Sequence, residues 1–126
     1  MKAKCTAAIS CGALGAVVLE IPGNPKVLNL LASRRLTLAA TQKSVTAFLL
    51  RFGAEPDTST AETRWLVRAM TSPKDEDDWG HPAFEVDLVR NRHGKTGYWF
   101  MEWNCNDRVF QNATADHSAL VSASAN

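Results

Sequence analysis

The chain has 126 residues and a formal net charge of +1, and 45% of its residues are hydrophobic. This length and apolar fraction fit a single folded domain and exclude a wholly disordered chain. A net charge so close to zero also excludes a strong attraction of the whole chain for nucleic acid or for a membrane surface. We expect one domain over residues 1–110, followed by a short mobile tail over residues 111–126.

The first predicted element lies in an uncharged segment, residues 5–19, which follows Lys2 and Lys4. Such a segment is either a buried strand or short helix of the domain, or the start of a secretory signal. It is shorter than the roughly 20 apolar residues that a membrane helix needs, so we expect no membrane partner. The best strand pattern within it runs from Ala16 to Ile21.

The cysteine pattern indicates a reducing compartment. Cys5, Cys11 and Cys105 form an odd set without regular spacing, which does not suit a disulfide framework. We therefore expect a cytoplasmic protein.

A first helix is predicted after the turn at residues 22–25. Asn24 is suited to cap it, and Pro25 fits the first helical position, where a missing N–H group has no cost. The helix should end near Arg34 and Arg35, since cations suit the C-terminal end of a helix dipole.

A second helix is predicted up to Phe52, beginning at Thr37 or at Thr41. Its apolar residues fall on one arc at 100° per residue, and Gly53 follows as a C-terminal cap. That arc consists of Leu38, Val45, Phe48, Leu49 and Phe52.

A third helix is predicted from the sequence Ser59-Thr60-Ala61-Glu62. Ser59 and Glu62 match a capping box, in which each side chain bonds to the backbone of the other residue. The helical period places Arg64 and Arg68 on the outer face, away from the core.

An aromatic β-hairpin is predicted after an exposed acidic linker at residues 74–78. Residues 84–89 alternate between apolar and acidic side chains, and residues 97–103 form the return strand. The turn between them is basic. Its charged residues are Arg90, Arg92, His93 and Lys95.

Together these elements predict an α+β fold with three N-terminal helices and a C-terminal antiparallel β-hairpin or small sheet. This order resembles the winged helix-turn-helix family of DNA-binding domains over residues 24–103. In that family the third helix enters the major groove, and the hairpin, or wing, contacts the DNA backbone or minor groove.

The resemblance implies double-stranded DNA as the partner. Arg64 and Arg68 would contact base edges or phosphates, and Thr60 at the helix N-terminus would favour a phosphate. The wing would add salt-dependent phosphate contacts. These would come from Arg90, Arg92, His93 and Lys95.

An alternative function is protein recognition. The return strand is apolar on both faces, with Trp99, Met101 and Trp103 on one of them. These residue types are enriched at protein interfaces, so this face predicts a protein partner or a homodimer. Burial of the same residues in the core of the domain is the other interpretation.

A third alternative is a small-ligand-binding or enzymatic α+β domain with an aromatic pocket. Asp78, His81 and Glu85 are the side chains that would line it as acids or bases. No spacing typical of a zinc site or a nucleotide-binding loop occurs. We therefore expect a non-catalytic binding protein without a metal or a cofactor.

Overall fold

A computed structural model describes residues 7–11, 13–72 and 80–113. The chain divides into two compact units, Met1–Ala61 and Glu62–Asn126. The acidic run at 74–78 and residues 114–126 of the predicted tail lie outside the described residues, and the limit between domain and tail remains a prediction.

The first unit contains two parallel strands joined by a helix. Strand β1 is Ala16–Pro22, helix α1 is Leu30–Lys43 and strand β2 is Thr46–Phe52. Every residue of β1 is paired with one of β2, from Ala16 with Thr46 to Pro22 with Phe52. The strand expected at Ala16–Ile21 is confirmed.

The ends of α1 are set by local chemistry. The side chain of Asn29 accepts a hydrogen bond from the amide of Ala32, at 3.0 Å. At the other end Ser44 adopts a left-handed conformation with φ 52°, and its amide bonds to carbonyls of the last turn. Ser44 thus separates the helix from β2.

The core of the first unit lies between α1 and the parallel pair. Ile9, Val17 and Val45 are buried, and Leu36 and two alanines of α1 pack against them. The outer face of the pair is different, because its side chains remain about half exposed. These are Val18, Phe48, Leu50 and Phe52.

The second unit is a four-stranded antiparallel sheet in the order β3-β4-β5-β6. Its strands are β3 (Thr63–Met70), β4 (Ala83–Asn91), β5 (Gly97–Asn104) and β6 (Val109–Asn112). The hairpin predicted over residues 84–103 is confirmed as β4 and β5, which pair from Ala83 with Glu102 to Leu88 with Gly97.

The predicted order of three helices followed by a hairpin, similar to a winged helix, is wrong. Strands make up 43% of the described residues and helices 17%. The helix predicted from Asn24 starts instead at Leu30, since residues 25–28 form a turn closed by a 2.9 Å bond from the amide of Leu28 to the carbonyl of Pro25.

The second predicted helix is helical only as far as Lys43, and the third is a strand, for a shared reason. Residues 46–52 and 63–70 are rich in β-branched, aromatic and leucine side chains, and each segment finds a strand to pair with. Partners distant in sequence thereby override the local helix signals. The capping-box residue Thr60 precedes a strand rather than a helix.

Candidate functional site

One face of the four-stranded sheet is apolar across all its strands. Register partners in an antiparallel pair project from the same face, so the pairings define the two faces. No charged residue occupies this face along the described strands. We name it the aromatic face. Its apolar side chains are Trp65, Val67, Ala69, Phe84, Val86, Leu88, Trp99, Met101, Trp103 and Phe110.

The large rings of the aromatic face contact one another. The ring centroids of Trp65 and Trp99 lie 5.8 Å apart. Those of Trp103 and Phe110 lie 4.8 Å apart, and Phe84 meets Phe110 edge-on at 6.2 Å. These distances fall in the range at which aromatic pairs attract beyond simple burial. The rings therefore form two groups on this face, Trp65 with Trp99, and Phe110 with Phe84 and Trp103.

The indole of Trp99 lies over Gly97. A Cβ atom added at Gly97 would sit 2.4 Å from Cη2 of that indole. Gly97 therefore leaves the space that allows the Trp99 ring to lie against the sheet near the start of β5.

Much of the aromatic face is exposed. Trp65, Val67 and Phe110 retain 49%, 60% and 56% of their accessible surface, whereas Leu88 retains 6%. A continuous apolar surface exposed in this way marks an interaction site in soluble proteins. The face is thus the first candidate functional feature.

The opposite face of the sheet, which we name the polar face, carries an ion pair and a hydrogen bond that share one carboxylate. Nη1 of Arg68 lies 2.8 Å from Oε1 of Glu85. The Tyr98 hydroxyl donates to Glu85, and this bond adds to partial desolvation to raise the Tyr98 pKa above its ordinary value of 10.0. Glu85 thus ties together side chains from three strands.

The turn between β4 and β5 presents the basic residues at one end of the sheet. Asn91 orders this turn, since its amide nitrogen donates to the carbonyl of Lys95 and its oxygen accepts from the amide of His93, both at 3.1 Å. The amide of Arg92 donates to the carbonyl of Glu62 at 3.0 Å. The turn is therefore tied to the beginning of β3.

The register brings a further cation to this end. Arg64 pairs directly with Arg90, next to an irregularity in the ladder between Arg64 and Trp65. We name the set formed by Arg64, Arg90, Arg92 and Lys95 the basic end. His93 lies beside it, with Nε2 at 3.7 Å from Oε1 of Glu62.

The predicted recognition-helix site is not formed, because Arg64 and Arg68 lie on a strand. The Arg68 guanidinium is engaged by Glu85. Thr60 belongs to the first unit, where its hydroxyl lies 2.8 Å from that of Thr37 and 3.2 Å from that of Ser33. The wing residues Arg90, Arg92, His93 and Lys95 do lie together at the tip of the hairpin.

The predicted interface residues Trp99, Met101 and Trp103 share one face of β5, as expected. The sequence prediction missed residues that extend this face onto the neighbouring strands, above all Val67 and Phe110. A sequence pattern does indicate that β3 is a strand. Trp65, Val67 and Ala69 stand at every second position, which is the spacing of one face of a strand.

Chemical groups suited to catalysis are sparse in the described part of the chain. No three His, Cys, Asp or Glu residues there are arranged to hold a metal ion. His81 accepts a bond at Nδ1 from the amide of Cys105 at 3.4 Å. Among the described residues there is also no helix both long and apolar enough to cross a membrane.

Comparison with known proteins finds no matching family model and no matching curated sequence. The aromatic face and the basic end of the second unit are therefore the two surfaces that indicate a function.

Proposed function

We propose that this protein is a non-catalytic binding protein that self-associates through its aromatic face. The observation that supports the proposal is an uncharged, largely apolar face to which all four strands contribute, with Trp65, Val67 and Phe110 about half exposed. Burial of such surface against an apolar partner is favourable by about 25 cal/mol per Å².

The absence of charge from the described strands of this face favours a protein partner. A phosphate backbone needs cations along its path, and the aromatic face supplies none. A second apolar surface has no such requirement.

The shape of the face favours a second copy of the chain. Sheets pack face to face with their strands within about 30° of each other. A two-fold axis brings the same patch of both subunits together. The aromatic face carries no charge along its described strands. Two copies of the face can therefore pack together without bringing like charges into contact.

The area of the aromatic face is also sufficient for a specific interface. Four strands spaced about 4.8 Å apart, with β3 8 residues long at about 3.4 Å each, cover on the order of 500 Å². Two such faces reach the roughly 1,000 Å² that a specific interface requires. The outer face of β1 and β2 also exposes apolar side chains, but it is only two strands wide and carries the charge of Glu20.

Two neighbouring residues of β6 allow a matched test. Phe110 lies on the aromatic face and Gln111 on the polar face, and both are exposed. We expect the wild-type protein and Gln111→Lys to form dimers in sedimentation equilibrium. Phe110→Lys should weaken the dimer about thirtyfold, because a loss of about 1 kcal/mol at each of the two symmetry-related positions amounts to about 2 kcal/mol per dimer.

A wild-type chain that sediments as a monomer over the whole concentration range would contradict the proposal. So would equal weakening by the two lysine variants. Far-ultraviolet circular dichroism of each variant verifies that the sheet is retained.

A further inference from the structure

We propose that the basic end binds the phosphate backbone of nucleic acid. This inference goes beyond self-association, because it concerns a different set of side chains. Arg64, Arg90, Arg92 and Lys95 belong to the end of the β3–β4 ladder and the turn that follows it.

The register concentrates charge at this end. Arg64 stands directly opposite Arg90, and Arg92 follows two residues later. The register therefore places the cations of the basic end on neighbouring segments at one end of the sheet, where a single polyanion can reach several of them.

The tip of the basic end is available to a partner. Among the ion pairs of the described residues, neither Arg92 nor Lys95 takes part. Their side chains are exposed. The cation of the polar face, Arg68, is different because it is paired with Glu85.

The backbone that carries these cations is ordered by its own hydrogen bonds. Asn91 bonds to the main chain of His93 and Lys95, and Arg92 is bonded to Glu62. A surface held in place before binding loses less conformational entropy when the partner arrives.

Arginine and phosphate match in geometry. The planar guanidinium offers paired N–H donors that fit two oxygens of one phosphate. Duplex DNA also carries one charge per about 1.7 Å of its axis, so several phosphates fall within reach of a compact cationic patch. Three arginines and a lysine at one sheet end suit such a dense and regular polyanion.

The test measures binding of the full-length protein to a short labelled duplex and to one of its single strands, by fluorescence anisotropy over a range of salt concentrations. Four phosphate contacts predict a slope of log affinity on log salt of about −3.6 for the duplex and about −2.8 for the single strand. Comparison of the duplex with the single strand shows which form of nucleic acid the basic end binds.

A pair of double variants with the same loss of charge provides the control. Arg92→Gln with Lys95→Gln should reduce the duplex slope by about 1.8 and the affinity at low salt at least tenfold. Arg68→Gln with Arg108→Gln should leave both nearly unchanged. Arg108 lies in the β5–β6 turn, at the sheet end opposite the hairpin tip.

Three results would overturn the inference. The first is no binding of either nucleic acid at low salt. The second is an equal loss of affinity in the two double variants. The third is binding of a glutamate-rich peptide as tight as that of the duplex, which would assign the basic end to an acidic protein.

Discussion

At the scale of single residues, Glu85 shows how one carboxylate organises the polar face. It accepts the Tyr98 hydroxyl and the Arg68 guanidinium from the two strands that flank its own. The phenol is stabilised in its protonated form, because an ionised Tyr98 would face the charge of Glu85. A pH-dependent signal should follow from this arrangement.

We predict that the Tyr98 phenol titrates above pH 10.0 in the folded protein. Desolvation and the hydrogen bond to Glu85 both raise its pKa. Since the chain has 1 tyrosine, the ultraviolet absorbance of phenolate reports on this group alone. The raised pKa contributes stability that is complete below about pH 10 and is lost as the pH rises through the folded-state value.

Glu85→Gln should lower the Tyr98 pKa toward its ordinary value, because the nearby negative charge is removed and the hydrogen bond to a neutral amide is weaker than that to a carboxylate. Asp107→Asn serves as the control, because it also removes a carboxylate but Asp107 is not among the residues that shift the Tyr98 pKa. A Tyr98 midpoint that does not move in Glu85→Gln would contradict the arrangement of the polar face.

The arginines of β3 illustrate what residue type alone can predict. The sequence treats Arg64 and Arg68 as equivalent, since they are four residues apart on a supposed helix. The strand register separates their surroundings, because Arg68 faces Glu85 and Arg64 faces Arg90. Only the partner strand decides which arginine belongs to a basic patch.

At the scale of elements, the hairpin of β4 and β5 was predictable and β3 was not. The hairpin joins segments close in sequence, and its alternating residues and polar turn are local signals. Strand β3 has a capping-box sequence just before it, which favours a helix in isolation. Its pairing with β4 forms across the intervening residues 71–82, and no local pattern records it.

The segment from Leu36 to Phe52 failed in a similar way. Its first half is helical and its second half is β2, and the change occurs at Ser44. Phe48, Leu49 and Phe52 fit a helical arc, whereas the apolar run from Phe48 to Leu50 also fits a strand. The parallel partner β1, more than twenty residues earlier in the chain, decides the outcome.

Two left-handed positions in the first unit predict stability changes of opposite sign. Ser44 has φ 52° and Gly53 has φ 58°. A side chain in this region costs about 1–2 kcal/mol. Ser44→Gly should therefore stabilise the protein by about 0.5 kcal/mol, after the greater unfolded-state entropy of glycine is included.

Gly53→Ala should destabilise by about 1 kcal/mol or more. An added Cβ meets no atom within 4 Å, so the cost arises from the backbone alone. Urea unfolding of both variants gives the measurement. Changes of the same sign in the two variants would show that these backbone conformations are not those described.

At the scale of the whole molecule, the candidate surfaces were predictable only in part. The sequence identified the aromatic strand and the basic turn, since both are contiguous runs. It missed the extent of the aromatic face, to which Trp65 and Phe110 contribute from positions 45 residues apart in the chain. Surface continuity is a property of sheet topology, and that topology was mispredicted.

Self-association through this face has a thermodynamic consequence for the whole protein. A dimer that unfolds to two separate chains becomes more stable as concentration rises, because mass action opposes dissociation. A tenfold increase in concentration contributes about 1.4 kcal/mol per dimer, which corresponds to about 3–5 °C in Tm for an assembly of this size.

We predict such a rise in Tm for the wild-type protein and for Gln111→Lys in differential scanning calorimetry. Phe110→Lys should show a Tm that is lower and independent of concentration over the range in which it is monomeric. A wild-type Tm that stays constant over two decades of concentration would mean that the exposed aromatic face is not buried by a second copy.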